Sequence, residues 1–223
     1  MGSNARAVSQ PIAFISQRAV NAGMTTWDER YRAGTYPQRP DPHPVLERYL
    51  PTFPPGQALD IATGTGRNAL PVAAAGYRVD AVDQSRAGLR IARENAREAG
   101  LEDDIEWIQA DLDSFAYSTS TYDLITISFY RPVDRLPDII EALADGGCLF
   151  IQHHLRTTDD VDGGPSGDRY RFASNELLRA GLGLTVLHYD ERTMTTDRTT
   201  AATAQLVARK SQGSHQSYPN IAE

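Results

Sequence analysis

Three acids and two glycines pose the chemical question. In DIATGTGRNALPVAAAGYRVDAVD, Asp60 to Asp83, an apolar run carrying Asp60 ends in a turn with Gly64 and Gly66. A helix-like segment follows, and a second apolar run closes on Asp83. Glycines two apart permit a tight turn and close approach of a ligand to the backbone. An acid at the end of the next strand can accept hydrogen bonds from ribose hydroxyls. A third acid, Asp111, follows a third apolar run in IQADL and can accept from an exocyclic amine of adenine. The chemistry this register suits is the holding of an adenosine-bearing cofactor. Ala62, Arg67, Asn68, Gln84, Leu112 and Ser128 are its immediate neighbours in the candidate site.

Two such cofactors compete. GTGRNA satisfies the dinucleotide pattern G-x-G-x-x-A, which is weak by itself. Asp60 speaks against a pyrophosphate, because a carboxylate just upstream of the turn repels phosphate. S-adenosylmethionine has no phosphate and carries an ammonium and a sulfonium, so an acid there helps hold it, directly or through water. A nicotinamide-dependent reductase of the short-chain kind also needs a tyrosine four residues before a lysine. The sole lysine, Lys210, has Leu206 at that spacing.

These residues resemble the class I S-adenosylmethionine-dependent methyltransferases over roughly residues 45–210. LDIATGTGRNAL is similar to their first motif, D-x-G-x-G-x-G, with Ala62 in place of the first glycine. GRNALPVAAAGYRVDAVD, YRFASNELLRAGLGLTVLHYDE and AQLVARK resemble the tellurite-resistance and thiopurine-type branch of small-molecule methyltransferases. WDERYRAGTYP is similar to that branch's N-terminal element, which implies that Trp27 and Tyr31 close the cofactor site. The resemblance implies a thiol or an oxyanion as methyl acceptor. It departs at the final hairpin, where ERTMTTDRTT lacks the branch's histidine and only Arg198 matches a later arginine.

The elements that must position these residues follow from periodicity. Strands are expected at QALDIA, YRVDAVD, IEWIQA, YDLITIS, CLFIQHH, LGLTVLHYDE and TAATAQLVARK. Helices are expected at TTWDERYRAGTYP with Thr26 as cap, PVLERYLPTF, RNALPVAAAG, SRAGLRIARENAREAG with Ser85 as cap, VDRLPDIIEALADGG and SNELLRAG. Alternation of this kind gives an α/β fold, a doubly wound and mainly parallel seven-stranded sheet. The last two strands, joined without a helix, form an antiparallel C-terminal hairpin. Residues 1–44 are read as an N-terminal arm with a short helix over the cofactor site, 45–210 as the cofactor-binding domain and 211–223 as a flexible tail.

On the acceptor side the candidates are Arg131, as a holder of an anion, His154, as a general base, and Arg198. SFYRP, Ser128 to Pro132, stands where amino-methylating enzymes of DNA carry Asn/Asp-Pro-Pro-Tyr. Its difference, and a net charge of -7, argue against a nucleic-acid partner. The single cysteine, Cys148, excludes an internal disulfide and a cysteine-based zinc site, and GCLFIQ marks it as a buried structural thiol. No run approaches the ~20 apolar residues of a membrane span, and the first twenty residues show no convincing cleavage site. A cytoplasmic protein with no metal and no membrane partner is expected. A non-catalytic S-adenosylmethionine-binding module is the open alternative to an enzyme.

Overall fold

The computed structural model describes residues 26–195, 199–211 and 215–221. Arg198 lies outside the described residues. Seven strands form one sheet in the order β3-β2-β1-β4-β5-β7-β6. They are β1 (Gln57–Ile61), β2 (Arg78–Asp83), β3 (Ile105–Gln109), β4 (Tyr122–Ser128), β5 (Leu143–His154), β6 (Thr185–Thr195) and β7 (Thr200–Arg209). The first five are parallel, and β7 runs antiparallel to both β5 and β6. Successive crossovers move outward from β1 in opposite directions, so the chain switches side between β1 and β4. In open sheets of this kind the ligand site lies there, at the carboxyl ends of the strands.

Helices α1 (Trp27–Arg32), α2 (Pro44–Tyr49), α3 (Ala69–Ala74), α4 (Arg86–Ala99), α5 (Leu136–Ala142) and α6 (Glu176–Ala180) cover the sheet. Alternation along the strands sends Leu59, Ile61, Ile125, Ile127, Leu149 and Ile151 into one core, against α5 and α6. Ala58, Val79, Leu124, Phe150 and Val207 face the other, with α2, α3 and Ala96 of α4. Each such fully buried aliphatic side chain contributes about 1.5–3 kcal/mol. The sheet therefore fixes the strand ends rigidly, and the loops built on them inherit that rigidity.

Local signals set the helix ends. Thr26 caps α1 in a complete capping box with Glu29. The Ser85 side chain accepts from Gly88 N at 3.1 Å to start α4, and Gly100, at φ 70°, ends it. Leu89, Ala92 and Ala96 are buried on one face of α4, as the periodicity predicts. The expected helix VDRLPDIIEALADGG is shorter in the structure. A 3₁₀ turn spans Val133–Arg135 and α5 stops at Ala142. Leu143 turns extended at ψ 133° because the sheet claims it, pairing it with Tyr122. The paired glycines thus lie inside β5, in an irregular stretch, rather than at a helix end. Cys148 is buried on β5, where burial pushes its thiol up to about 12. Ile221, in the expected tail, packs against the second core.

Candidate active site

Asp60 and Asp83 hold the turn between β1 and α3. Asp60 is 2% exposed, and its carboxylate accepts from Thr126 Oγ1 at 2.7 Å, Thr63 Oγ1 at 2.6 Å and Ala69 N at 3.1 Å. Burial still pushes its pKa up to about 6, because these donors only partly replace water. Asp83 accepts from Gly64 N at 2.8 Å and Ser85 N at 2.7 Å, with burial again raising its pKa. One carboxylate therefore clamps the glycine turn to the start of α4. Gly64 and Gly66 take φ of 57° and 91°, a region that favours glycine. Ala62 takes φ 59°, the same left-handed region. The family's first glycine is thus replaced by an alanine in a backbone state that disfavours a Cβ. Asn68, 1% exposed, donates to Ser128 Oγ at 2.8 Å, and among the described residues its own Oδ1 has no partner.

The chain before α2 lies across this turn. Asp28 accepts from Ser85 Oγ at 2.9 Å and Ala87 N at 2.7 Å, docking α1 on the start of α4. The connector after α1 is pinned by Thr65 Oγ1 to Pro37 O, Arg67 to Asp41 O and Asn95 Nδ2 to Gln38 O. Asn95, buried on α4, also donates to Thr65 O at 3.1 Å, so it links connector and glycine turn. Trp27, Tyr31 and Tyr36 form an aromatic trio with centroids 5.3–6.4 Å apart. Tyr31 is the member on the turn: a Cβ on Gly64 would lie 2.5 Å from its hydroxyl. Trp27 is 38% exposed, with Arg30 over its ring.

Asp111 and Gln84 are exposed at the ends of β3 and β2, and Leu112 is buried in the first core. Asp111 accepts from Asp113 N at 3.1 Å, which makes it the start of a small turn. Ser128 ends β4, tied to Asn68.

Beyond β4 the site changes character. Phe129 sits at φ 58°, a genuine outlier for a bulky residue. Its ring stacks on His154 at 4.8 Å and meets His43 at 5.5 Å, with the Arg67 guanidinium 5.9 Å above it. Burial drives the His43 pKa down to about 3 and that of His154 to about 4, aided by Arg67 and Arg171 respectively. His153 points to the opposite face, edge-on to Phe172 at 5.4 Å. Arg131 pairs with Glu176 and lies over Phe172, so its charge is already used. Arg171 donates to the carbonyls of Leu155, Gly163 and Pro165 and so organises the long loop after β5. That loop's Gly164 rests on His154: a Cβ there would lie 2.8 Å from the imidazole.

The structure thus gathers Tyr31, Ala62, Gly64, Gly66, Arg67, Asn68, Asp83 and Ser128 around one turn and brings His154 alongside. Trp27 adjoins that group through its ring contact with Tyr31, and Arg131 pairs with Glu176. The sequence reading missed His43, Asp28 and Asn95. Asn95 alone left a trace, a polar residue on the face of α4 that carries Leu89, Ala92 and Ala96.

The donor set around the turn fits S-adenosylmethionine. Asp60 and Asp83 tie it, and glycines open the backbone. Fold and turn together have the Rossmann-like architecture of the class I, S-adenosylmethionine-dependent methyltransferases. Residues 58–147 match the family described as Methyltransferase domain. Over 98 residues the chain is 34% identical to a demethylmenaquinone methyltransferase of Clavibacter sepedonicus, covering 42% of this chain and 39% of that protein. The chain thus spans about two fifths of the length of that curated relative. Among solved structures it resembles TehB of Haemophilus influenzae, with a TM-score of 0.65, 23% identity, and coverage of 82% of this chain and 66% of that one. It also resembles the [4+2]-cyclase SpnF, with a TM-score of 0.59, 21% identity, and coverage of 76% and 79%. A neighbour named as a cyclase means that the fold by itself does not fix the reaction. Among the described residues no helix is long and apolar enough to cross a membrane, and no His/Cys/Asp/Glu group could hold a metal ion.

Proposed function

We propose that the protein moves the methyl group of S-adenosylmethionine to a small-molecule acceptor that enters as an anion, a thiolate before an oxyanion. One observation carries this reading: the wall beyond β4 sets cations beside neutral imidazoles. Arg67 and Arg171 donate to backbone carbonyls, and among the described residues neither forms an ion pair with a carboxylate. His43 and His154, held neutral with pKa values of about 3 and 4, are too weakly basic to draw a proton from an amine or alcohol. An acceptor that ionises by itself fits this wall. A thiol, of ordinary pKa ~8.5, is shifted toward thiolate by a positive setting.

S-adenosylmethionine supplies a methyl group already activated by its sulfonium. Asp83 would hold its ribose hydroxyls, Asp111 its adenine amine, and Tyr31 would close over it. Asp60 would act through the turn it ties. The acceptor thiolate forms an S–CH3 bond as the sulfonium C–S bond breaks, and its proton has already gone to solvent. The chain's part is alignment and exclusion of water by the strap of residues 26–43.

The test is incubation with methyl-labelled S-adenosylmethionine and a panel of small thiols, selenite, tellurite, an amine and an alcohol. A labelled thioether is expected, with a rate that follows thiol ionisation and an apparent thiol pKa that rises in Arg67→Met. Product from only the oxyanions would move the assignment to them. Product from only the amine or alcohol would overturn the anionic reading.

A further inference from the structure

The sheet face turned toward α2 ends in a patch of buried polar groups that the cofactor turn does not use. Alternation along β5 and β7 sets Gln152 opposite Gln205 and His154 opposite Thr203. Phe150 and Val207 continue the same face into the second core. His43 closes the patch from the connector, its ring 5.7 Å from Phe150. His43, Thr203 and Gln205 are 4%, 5% and 4% exposed. Gln205 Nε2 donates to Gln152 Oε1 at 2.7 Å. Among the described residues four atoms of the patch have no partner: His43 Nε2, His154 Nδ1, Thr203 Oγ1 and Gln205 Oε1.

Buried polar atoms are nearly always hydrogen-bonded, since folding strips them of water. Apolar residues at these positions would extend the core at no such cost. Four orphaned atoms from four residues on one sheet face, next to Phe129 in its strained backbone state, mark a surface shaped for something else. Their chemistry describes the occupant. Gln205 Oε1 requires a donor, while the Thr203 hydroxyl and the two imidazole nitrogens can each give or accept. The charged groups nearest along β6, Asp190 and Arg192, pair with each other. Arg67 and Arg171 border the patch, so a cationic occupant would be repelled.

We infer that this patch binds the uncharged, hydrogen-bonding body of the methyl acceptor, an amide- or hydroxyl-bearing group attached to the atom that takes the methyl. The inference rests on the methyltransferase reading for the word acceptor, and on the four orphaned atoms for the chemistry of the body. An amide N–H would satisfy Gln205 Oε1, and an amide carbonyl would accept from Thr203. A site built to hydrogen-bond its ligand rejects an apolar isostere because its own groups are then left unpaired.

Two thiols of nearly equal shape test this: 2-mercaptoacetamide and 2-methylpropane-1-thiol. With the wild-type chain, kcat/KM per thiolate anion, which removes the difference in thiol acidity, is expected to be about tenfold or more higher for the amide than for the hydrocarbon. Thr203→Val and the double variant Gln152→Leu/Gln205→Leu should each erode that preference to within about threefold while S-adenosylhomocysteine binds as before. Thr203→Val should also raise Tm, because it removes an orphaned hydroxyl, and a merely structural hydroxyl would give the opposite sign. An equal or reversed preference in the wild type would overturn the inference, as would a fall in Tm with unchanged preference. If no thiol is methylated, the thiol reading fails separately. The patch is then judged by the Gln205 side-chain amide resonances on adding 2-mercaptoacetamide to the S-adenosylhomocysteine complex: movement supports it and stillness overturns it.

Discussion

The two halves of the cleft are built on opposite terms. At the ends of β1 and β2, charge is buried and almost fully paired: Asp60 and Asp83 together accept five hydrogen bonds from the turn and its flanks. At the ends of β5 and β7, the groups are uncharged and several are orphaned. A half whose polar groups are already paired is preformed, and its occupant adds little to its order. A half with unpaired groups gains its partners only with a ligand. The contrast suits the proposed function, in which the cofactor enters a preformed turn and the acceptor completes the wall opposite.

The largest expected effect breaks the first half. Asp83→Ala leaves Gly64 N and Ser85 N without acceptors, each worth about 1–3 kcal/mol when buried. Calorimetric titration should show S-adenosylhomocysteine affinity down by about a hundredfold or more. His154→Phe, in the second half, should keep that affinity within about twofold while kcat/KM for the acceptor drops about tenfold. Equal losses of cofactor affinity in both variants would erase the distinction between the halves.

A smaller effect sharpens it through pH. Burial raises Asp60 from 3.8 to about 6, so the ligand-free fold binds this proton more tightly than the unfolded chain does. Between those values the unfolded state holds fewer protons, and stability falls as pH rises, levelling above about 6. The cofactor's positive charges favour the ionised form and should strengthen binding over the same window. Affinity for S-adenosylmethionine is expected about tenfold weaker at pH 5 than at pH 7.5, with proton release on binding below pH 6. Asp60→Asn should flatten the profile. A flat wild-type profile would remove Asp60 from the electrostatics of binding and leave it a purely structural tie. His43 and His154, depressed from 6.5 to about 3 and 4, stay neutral in the folded chain over this range and add nothing to the pH dependence of binding. On stability they act with the opposite sign, because below about 6.5 the unfolded chain takes up their protons first.

The same division explains what could be read from the sequence. Strand periodicity, two helix caps and the spacing of Asp60, Gly64, Gly66 and Asp83 are local signals. They led to the α/β architecture, the antiparallel hairpin and the cofactor turn. The second half depends on long-range pairing. Gln205 meets Gln152 only because β7 inserts between β5 and β6, and His43 reaches Phe129 only because the connector folds back over the turn. The pairing of Arg131, a candidate anion holder by sequence, with Glu176 is not legible there, because Glu176 belongs to a helix on the far side of a long loop. A histidine or glutamine in such a place carries no periodic mark.

The smallest prediction compares one backbone position from each half. Ala62 and Phe129 both adopt left-handed φ, at 59° and 58°. For a residue with a Cβ this costs roughly 1–2 kcal/mol, while glycine returns roughly 0.4–1 kcal/mol through the freedom of the unfolded chain. Ala62→Gly loses only a methyl, so a net gain of about 0.5–1 kcal/mol is expected, or about 1–4 °C in Tm for a chain of this size. Phe129→Gly relieves the same strain but removes the ring that His43 and His154 pack against, and it should lower Tm instead. If both substitutions stabilise, the strain at Phe129 is no more than a defect of the loop. If only Ala62→Gly does, strain in the cofactor half is incidental to an inherited turn, while strain in the acceptor half is held in place by the aromatic contacts that shape the pocket.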